Sequence, residues 1–201
     1  MQLYNKLSAN ERAILIEKAG NRRITLSFYK YHQIKNTSLF RDHLYLMWEK
    51  LDVLGRIYIA SEGINAQLSM PSQNLNEFKT KLDSIDFLKE IRLNVAVEQD
   101  DFSFLKLKVK IRNKIVADGL SENSFDLSNN GTHVNASEFN TLIENPNTLL
   151  VDMRNHYESE IGHFDGAILP DVDSFRESLP IIEKKFAKHK KSKNIVMYCT
   201  G

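Results

Sequence analysis

The chain has 201 residues, a formal net charge of +1 and one cysteine. A single thiol excludes a fold stapled by internal disulfides. Near-neutrality excludes a global field that selects charged partners, so any nucleic-acid contact must be a local patch. Hydrophobic residues make up 42% and charged residues 26%, an ordinary globular composition with enough apolar surface for one large core or two small ones. No stretch approaches the roughly 18 apolar residues of a membrane span. Glu11, Arg12, Glu17 and Lys18 interrupt the first twenty residues, unlike a signal peptide, so a cytoplasmic protein is expected.

Residues 8–19 read as a helix, with Ser8 and Glu11 at capping-box spacing and Gly20 at the stop position. Ile24 to Tyr31 is β-branched and aromatic, as a strand requires. Phe40, Leu44, Met47 and Leu51 then share one face of a helix. Arg56 to Met70 reads as two strands turning at Glu62-Gly63, and Asn74 to Ile85 as a helix burying Leu75, Phe78, Leu82 and Ile85. Leu93–Val97 and Phe104–Val116 are the expected last strands. Strand, helix, two strands, helix, strand is the order of an α+β ferredoxin-like unit, with helices on one face of an antiparallel sheet.

Between Asp118 and Asn135, turn formers such as Gly119, Ser121, Asn123, Asn129, Asn130 and Gly131 crowd a stretch poor in apolar residues, which marks a linker. Beyond it, Ser137 caps a short helix through Ile143 that Asn145-Pro146 ends. Thr148–Asp152 and Ile195–Tyr198 are apolar runs expected of strands buried on both faces, and Ala167–Leu169 is a shorter candidate. Ser174 opens a helical region with Phe175, Leu179, Ile182 and Phe186 on one face. Pro180 is expected to break or kink it, since proline lacks the amide hydrogen. Strands alternating with helices imply an α/β domain with a parallel sheet. The expected organisation is an N-terminal helix over 1–22, a βαββαβ domain over 23–118, a linker over 119–135 and an α/β domain over 136–201.

Cys199 follows the run Ile195-Val196-Met197-Tyr198 and precedes Thr200-Gly201. In an open parallel sheet, ligands bind beyond the carboxyl ends of the strands. Backbone amides of a tight loop there would favour the thiolate, the nucleophilic form. The alternative is a small buried hydrophobe. Asp152 ends the other buried strand, on the same expected sheet edge, and Arg154, Gly162, His163 and Gly166 follow it. These supporting residues can orient loops around a site or simply scaffold backbone. Lys106, Lys108, Lys110, Arg112 and Lys114 alternate with Leu107, Val109, Ile111 and Ile115. On one strand all five would share a face, about 6.5 to 7 Å apart, well placed for a phosphate backbone. Edge protection against strand pairing explains the same pattern. Arg56, Glu62 and Asn65 around the expected hairpin could shape an RNA groove or a domain interface. His133, His156, His163 and Cys199 lack the paired spacing of zinc or iron sites, and no dinucleotide or flavin fingerprint is present.

Asp152-Met153-Arg154, the run Gly162-His163-Phe164-Asp165-Gly166-Ala167 and a strand ending in Cys199 resemble the rhodanese domain. Gly55 to Gln67, Lys114 to Gly119, Val151 to Tyr157 and Tyr198 to Gly201 resemble, more closely, the rhodanese-domain tRNA uridine hydroxylases. The resemblance implies oxygen-dependent hydroxylation of the wobble uridine of tRNA to 5-hydroxyuridine. It implies Cys199 as the active-site cysteine and dioxygen as co-substrate, with no assigned metal or flavin. It also implies tRNA as partner, with a sulfur or electron donor protein beside it, and no membrane. Lys106, Lys108, Lys110, Arg112, Lys114 and Arg56 are then the candidate RNA contacts. In that family the chain continues past the cysteine loop. The rhodanese-like part is therefore expected to be partial, and this length of chain inactive alone. Two other readings stay open: a sulfurtransferase working through a Cys199 persulfide, and a non-catalytic RNA-binding module.

Overall fold

The computed structural model describes residues 3–19, 22–116, 118–120 and 131–199. The chain divides into two compact units, residues 1–116 and 117–201. Residues 121–130 of the expected linker, Gly20 at the expected helix stop, and Thr200 and Gly201 after the cysteine lie outside the described residues.

In the first unit, period-two alternation puts Leu26 and Phe28 of β1 (Arg23–Tyr31), Ile57 and Ile59 of β2 (Leu54–Ala60), and Ile64, Ala66 and Leu68 of β3 (Gly63–Pro71) on one sheet face. Two amphipathic helices cover that face. α2 (Thr37–Glu49) contributes Leu44, Tyr45 and Trp48, and α3 (Leu75–Asp83) contributes Phe78 and Leu82. Trp48 and Phe78 are fully buried with ring centroids 5.6 Å apart. α1 (Ala9–Ala19) starts with the expected reciprocal cap: the Ser8 amide donates to Glu11 at 2.8 Å and the Glu11 amide to the Ser8 hydroxyl at 3.2 Å. Its Arg12 meets Asp52 at 2.8 Å, and the buried Arg23 holds the other oxygen of Asp52 at 2.7 Å. Burial pushes the Arg23 guanidinium below its ordinary pKa, and Asp52 opposes that shift.

The sheet order is β4-β1-β3-β2-β5, with β4 (Asn94–Val95) and β5 (Leu107–Ile111) at the edges. Every pairing is antiparallel except β2 with β5, which is parallel. The first four strands make the βαββαβ unit, and β5 adds a parallel edge. Both edge strands are shorter than their sequence patterns suggest. β5 stops at Ile111 rather than Val116 because its partner β2 ends at Ala60, where the chain turns into β3. The Arg112 amide still reaches the Ile59 carbonyl at 2.8 Å, and beyond it the ladder has no partner rung. At the start of β5 the Asn5 side chain both donates to and accepts from the Leu107 backbone, each at 2.9 Å. Gly63 is held at φ +150°, and a Cβ there would fall 2.1 Å from the Lys30 carbonyl oxygen. Only glycine lets β1 and β3 close at this rung.

In the second unit, α4 (Ala136–Glu144) is capped two residues earlier than expected. Asn135, not Ser137, exchanges hydrogen bonds with Glu138, because the Asn135–Glu138 spacing satisfies both amides at once. The same pattern at Asn155 and Glu158 starts α5 (His156–Ile161), a helix absent from the elements expected from the sequence. β6 (Thr148–Asp152) and β7 (Asn194–Tyr198) pair in parallel, and Ile168 adds a one-residue parallel bridge on the other side of β6. β6 buries Leu150, Val151 and Asp152. In β7 Val196 is buried and Met197 is 53% exposed. Among the described residues β7 has one neighbouring strand, β6. α6 (Phe175–Phe186) runs unbroken through Pro180. Pro180 is exposed and stands in the second turn of the helix, where its missing amide removes one bond, to the Arg176 carbonyl. Ile182 and Phe186 of α6 pack on Val151 and Met153.

No helix among the described residues is long and apolar enough to cross a membrane.

Candidate functional site

Each unit carries one candidate site. In the second unit the parallel register pairs Asp152 with Tyr198, so β6 and β7 end at the same rim of the sheet and Cys199 leaves from it. The thiol is exposed, with Sγ 3.9 Å from the Met153 carbonyl oxygen. β7 ends at Tyr198, so Cys199 stands just past the last rung of the parallel pair.

Asp152 has no exposed side-chain surface, yet its pKa lies below the ordinary carboxylate value. Burial works to raise its pKa. The opposing hydrogen bonds are stronger: the Arg154 guanidinium grips both oxygens at 2.7 to 3.2 Å, the Arg154 amide donates at 3.0 Å, and Tyr198 adds to them. The net shift is downward. The Arg154 pKa is raised, chiefly by the same pair. Arg154 also donates to the Gly162 carbonyl at 2.6 Å and lies over the Tyr198 ring, 5.4 Å from its centroid. One guanidinium thus fastens the end of β6, the loop after α5 and the last aromatic of β7. The Tyr198 hydroxyl accepts from the Phe164 amide at 3.2 Å. Its pKa is raised mainly by burial, with the Asp152 carboxylate adding to the shift and the Phe164 amide opposing it.

His163 stands apart from this network. Its Nδ1 meets the Ser159 carbonyl at 2.9 Å and closes the turn after α5. Among the described residues it makes no hydrogen bond to Cys199. Tyr198 was not singled out in the sequence. The readable signal was an aromatic at a strand end, in register with Asp152 and one residue before the cysteine. No group of three or more His, Cys, Asp or Glu among the described residues is placed to hold a metal ion.

In the first unit the five-cation ladder does not form as one row. β5 covers only 107–111, so Lys108 and Lys110 alone alternate within it, both exposed. Lys106 precedes the strand and is partly buried, while Arg112 and Lys114 follow it. The apolar side is only partly covered: Leu107 and Val109 are buried, but Ile111 is 40% exposed. Arg56 joins the cations from the next strand, exposed and directly opposite Lys108. Arg112 lies over the Tyr58 ring, 5.4 Å from its centroid. Glu62 and Asn65 do not line a groove beside Arg56. They clamp one residue, with Glu62 accepting from the Ile115 amide at 2.8 Å and Asn65 donating to the Ile115 carbonyl at 3.1 Å.

Comparison with known proteins agrees with both units. Residues 23–115 match the UPF0176 acylphosphatase-like domain, and residues 135–201 match the rhodanese-like domain. A Leptospira interrogans protein named tRNA uridine(34) hydroxylase is 54% identical over 199 residues, covering 99% of this chain and 53% of that protein. Proteins of the same name from Photorhabdus laumondii and Yersinia pestis are 47% and 48% identical over 200 residues, each covering 99% of this chain and 56% of the relative. The chain thus spans about half the length of the curated relatives it matches. It joins a stretch similar to the UPF0176 acylphosphatase-like domain, folded as five strands under two helices, to a stretch similar to the rhodanese-like domain, where a parallel strand pair ends at Cys199.

Proposed function

We propose that the protein acts in the cytoplasm on tRNA, hydroxylating the wobble uridine to 5-hydroxyuridine, with Cys199 as the working nucleophile. The observation that carries this reading is the exposed Cys199 thiol, on the rim where Asp152 and Tyr198 end side by side. It stands in a chain whose relatives at 47 to 54% identity are named tRNA uridine(34) hydroxylase. Dioxygen serves as co-substrate: one oxygen atom enters the C5–H bond of uracil and the other leaves as water. That balance takes two electrons and two protons from an electron-donor protein. Asp152 and Arg154 act as positioning residues. Their ion pair fixes the loop between α5 and Ile168 and holds Tyr198 beside the thiol's point of exit. The Arg56, Lys108, Lys110 and Arg112 cations, with Lys106 and Lys114 flanking, meet tRNA phosphates.

A second reading, sulfur transfer through a Cys199 persulfide, is favoured by the same exposed thiol and the rhodanese match. Mass spectrometry of tRNA nucleosides separates the two, comparing cells with the gene, without it, and with Cys199→Ser. The hydroxylase reading expects the uridine species 16 mass units heavier to disappear in the last two. An unchanged nucleoside profile, with thiosulfate-to-cyanide sulfur transfer dependent on Cys199, establishes the second reading instead. Loss of neither activity leaves an RNA-binding module.

A further inference from the structure

α2 and α3 cover one face of the first unit's sheet; on the other, Arg112 and Ile115 sit against Tyr58 and Asn65 and Ser103 against Thr25, and the side chains around them carry a pattern that the cations alone do not explain. Strand registers set its side chains in two rows across the sheet. One row runs Lys108, Arg56, Gln67, Ser27 and Asn94 over all five strands. The next runs Lys110, Tyr58, Asn65 and Tyr29 over four. Neighbouring side chains in a row are about 4.8 Å apart, and the rows about 7 Å. Neither row holds a carboxylate. Among the described residues Arg56, Lys108, Lys110 and Arg112 form no salt bridge. Tyr29 and Tyr58 are partly exposed on this face, so their rings are within reach of a ligand. Tyr31, the next residue of β1 on this side, stands edge-on to Tyr29 with ring centroids 6.3 Å apart. Arg112 over Tyr58 adds a second flat, cationic surface.

We propose that this face is a binding platform for unpaired RNA nucleotides: Tyr29, Tyr58 and the Arg112 guanidinium stack on bases, while Arg56, Lys108 and Lys110 hold the phosphates along the β2–β5 edge. The proposal rests on the RNA reading above and deepens it, because it selects single-stranded RNA over duplex. A paired stem presents phosphates but no free base faces, so cations suffice for it. Splayed nucleotides need aromatic or guanidinium planes beside the cations. Asn65 is committed to Ile115, but Gln67 is exposed between Arg56 and Ser27, where an amide can read a base edge.

The test uses the whole chain and two fluorescein-labelled probes followed by anisotropy, a twelve-nucleotide uridine-rich single strand and a twelve-pair RNA duplex. Tyr29→Ala and Tyr58→Ala are each expected to weaken single-strand binding by about 5- to 100-fold, the fold equivalent of one lost stacked base, and duplex binding by less than about two-fold. Tyr29→Phe and Tyr58→Phe keep the ring and are expected to bind like the parent. Lys108→Ala with Lys110→Ala should weaken both probes and flatten the salt dependence. Should an alanine variant lose its fold by circular dichroism, photocrosslinking of a 5-bromouridine single strand to the parent chain decides, with the adduct located by mass spectrometry. Adducts on the 23–31 or 54–60 peptides support the platform, and adducts confined to other peptides overturn it. Unchanged single-strand affinity in folded Tyr29→Ala and Tyr58→Ala overturns it too, as does a parent chain that binds neither probe. None of these outcomes touches the nucleoside comparison, which judges the tRNA reading separately.

Discussion

Among the described residues, nineteen buried side chains of the first unit form one cluster, drawn from four strands of the sheet, both covering helices and the segments between them; in the second unit the corresponding cluster is Val151, Met153, Ile182 and Phe186. The rim of the second unit is held instead by polar geometry, namely the Asp152–Arg154 pair, its link to Gly162 and the Tyr198–Phe164 contact. The difference teaches where each unit is vulnerable. Apolar packing is non-directional and spreads a loss over many neighbours. A buried ion pair concentrates it, since removing one partner strands the other. The first unit should therefore yield to cavities and the second to lost charge.

The largest expected effect tests the first half of that contrast. Phe78→Ala leaves a cavity beside Trp48, the sole tryptophan of the chain. It should cost the first unit about 3 to 5 kcal/mol, read as a shift in the urea midpoint of Trp48 fluorescence. Hydrogen exchange of the 148–155 peptide should stay unchanged; a shift there would mean that the two units unfold together. Asp152→Asn is the mirror experiment. It should cost the second unit about 3 kcal/mol, the low end for a broken buried pair because Arg154 keeps some exposure. Faster exchange of the 148–155 peptide would report it. The same carboxyl sets a pH signature. Its pKa is depressed in the folded chain, so its contribution is complete above the unfolded value near 3.9 and is lost as pH falls through the folded value. Protection of that peptide should drop below about pH 4 in the parent, and Asp152→Asn should flatten the drop. The smallest effect is Asn135→Ala, which removes the α4 cap and should cost about 1 kcal/mol. It should show as a small thermal shift of the second unit, with Trp48 unaffected.

Much of the first unit could be read from its residues. Alternation in β1 and β3 and helical spacing at Leu44, Phe78 and Leu82 each give one answer, because burial imposes one period at a time. The end of β5 had one signal, Asn113, which breaks the apolar alternation just after Arg112; its partner β2 ends at the same level and limits the ladder there. Residue types did not mark the tyrosine rows, since Tyr29 and Tyr58 become neighbours only through the pairing of three strands. In the second unit Cys199 and Asp152 were legible as strand-end residues. α5 hid in a short polar run whose Asn155–Glu158 cap was the available signal, and the role of Tyr198 depended on register.

The pairing of Asn5 with both backbone groups of Leu107 has a bearing on solution behaviour. A side-chain amide presents the same donor and acceptor as a peptide group, so one residue does at that rung what a sixth strand would do. A second molecule trying to zip onto the β5 margin at its first rung finds the docking point taken, which discourages edge-to-edge polymers without lengthening the sheet.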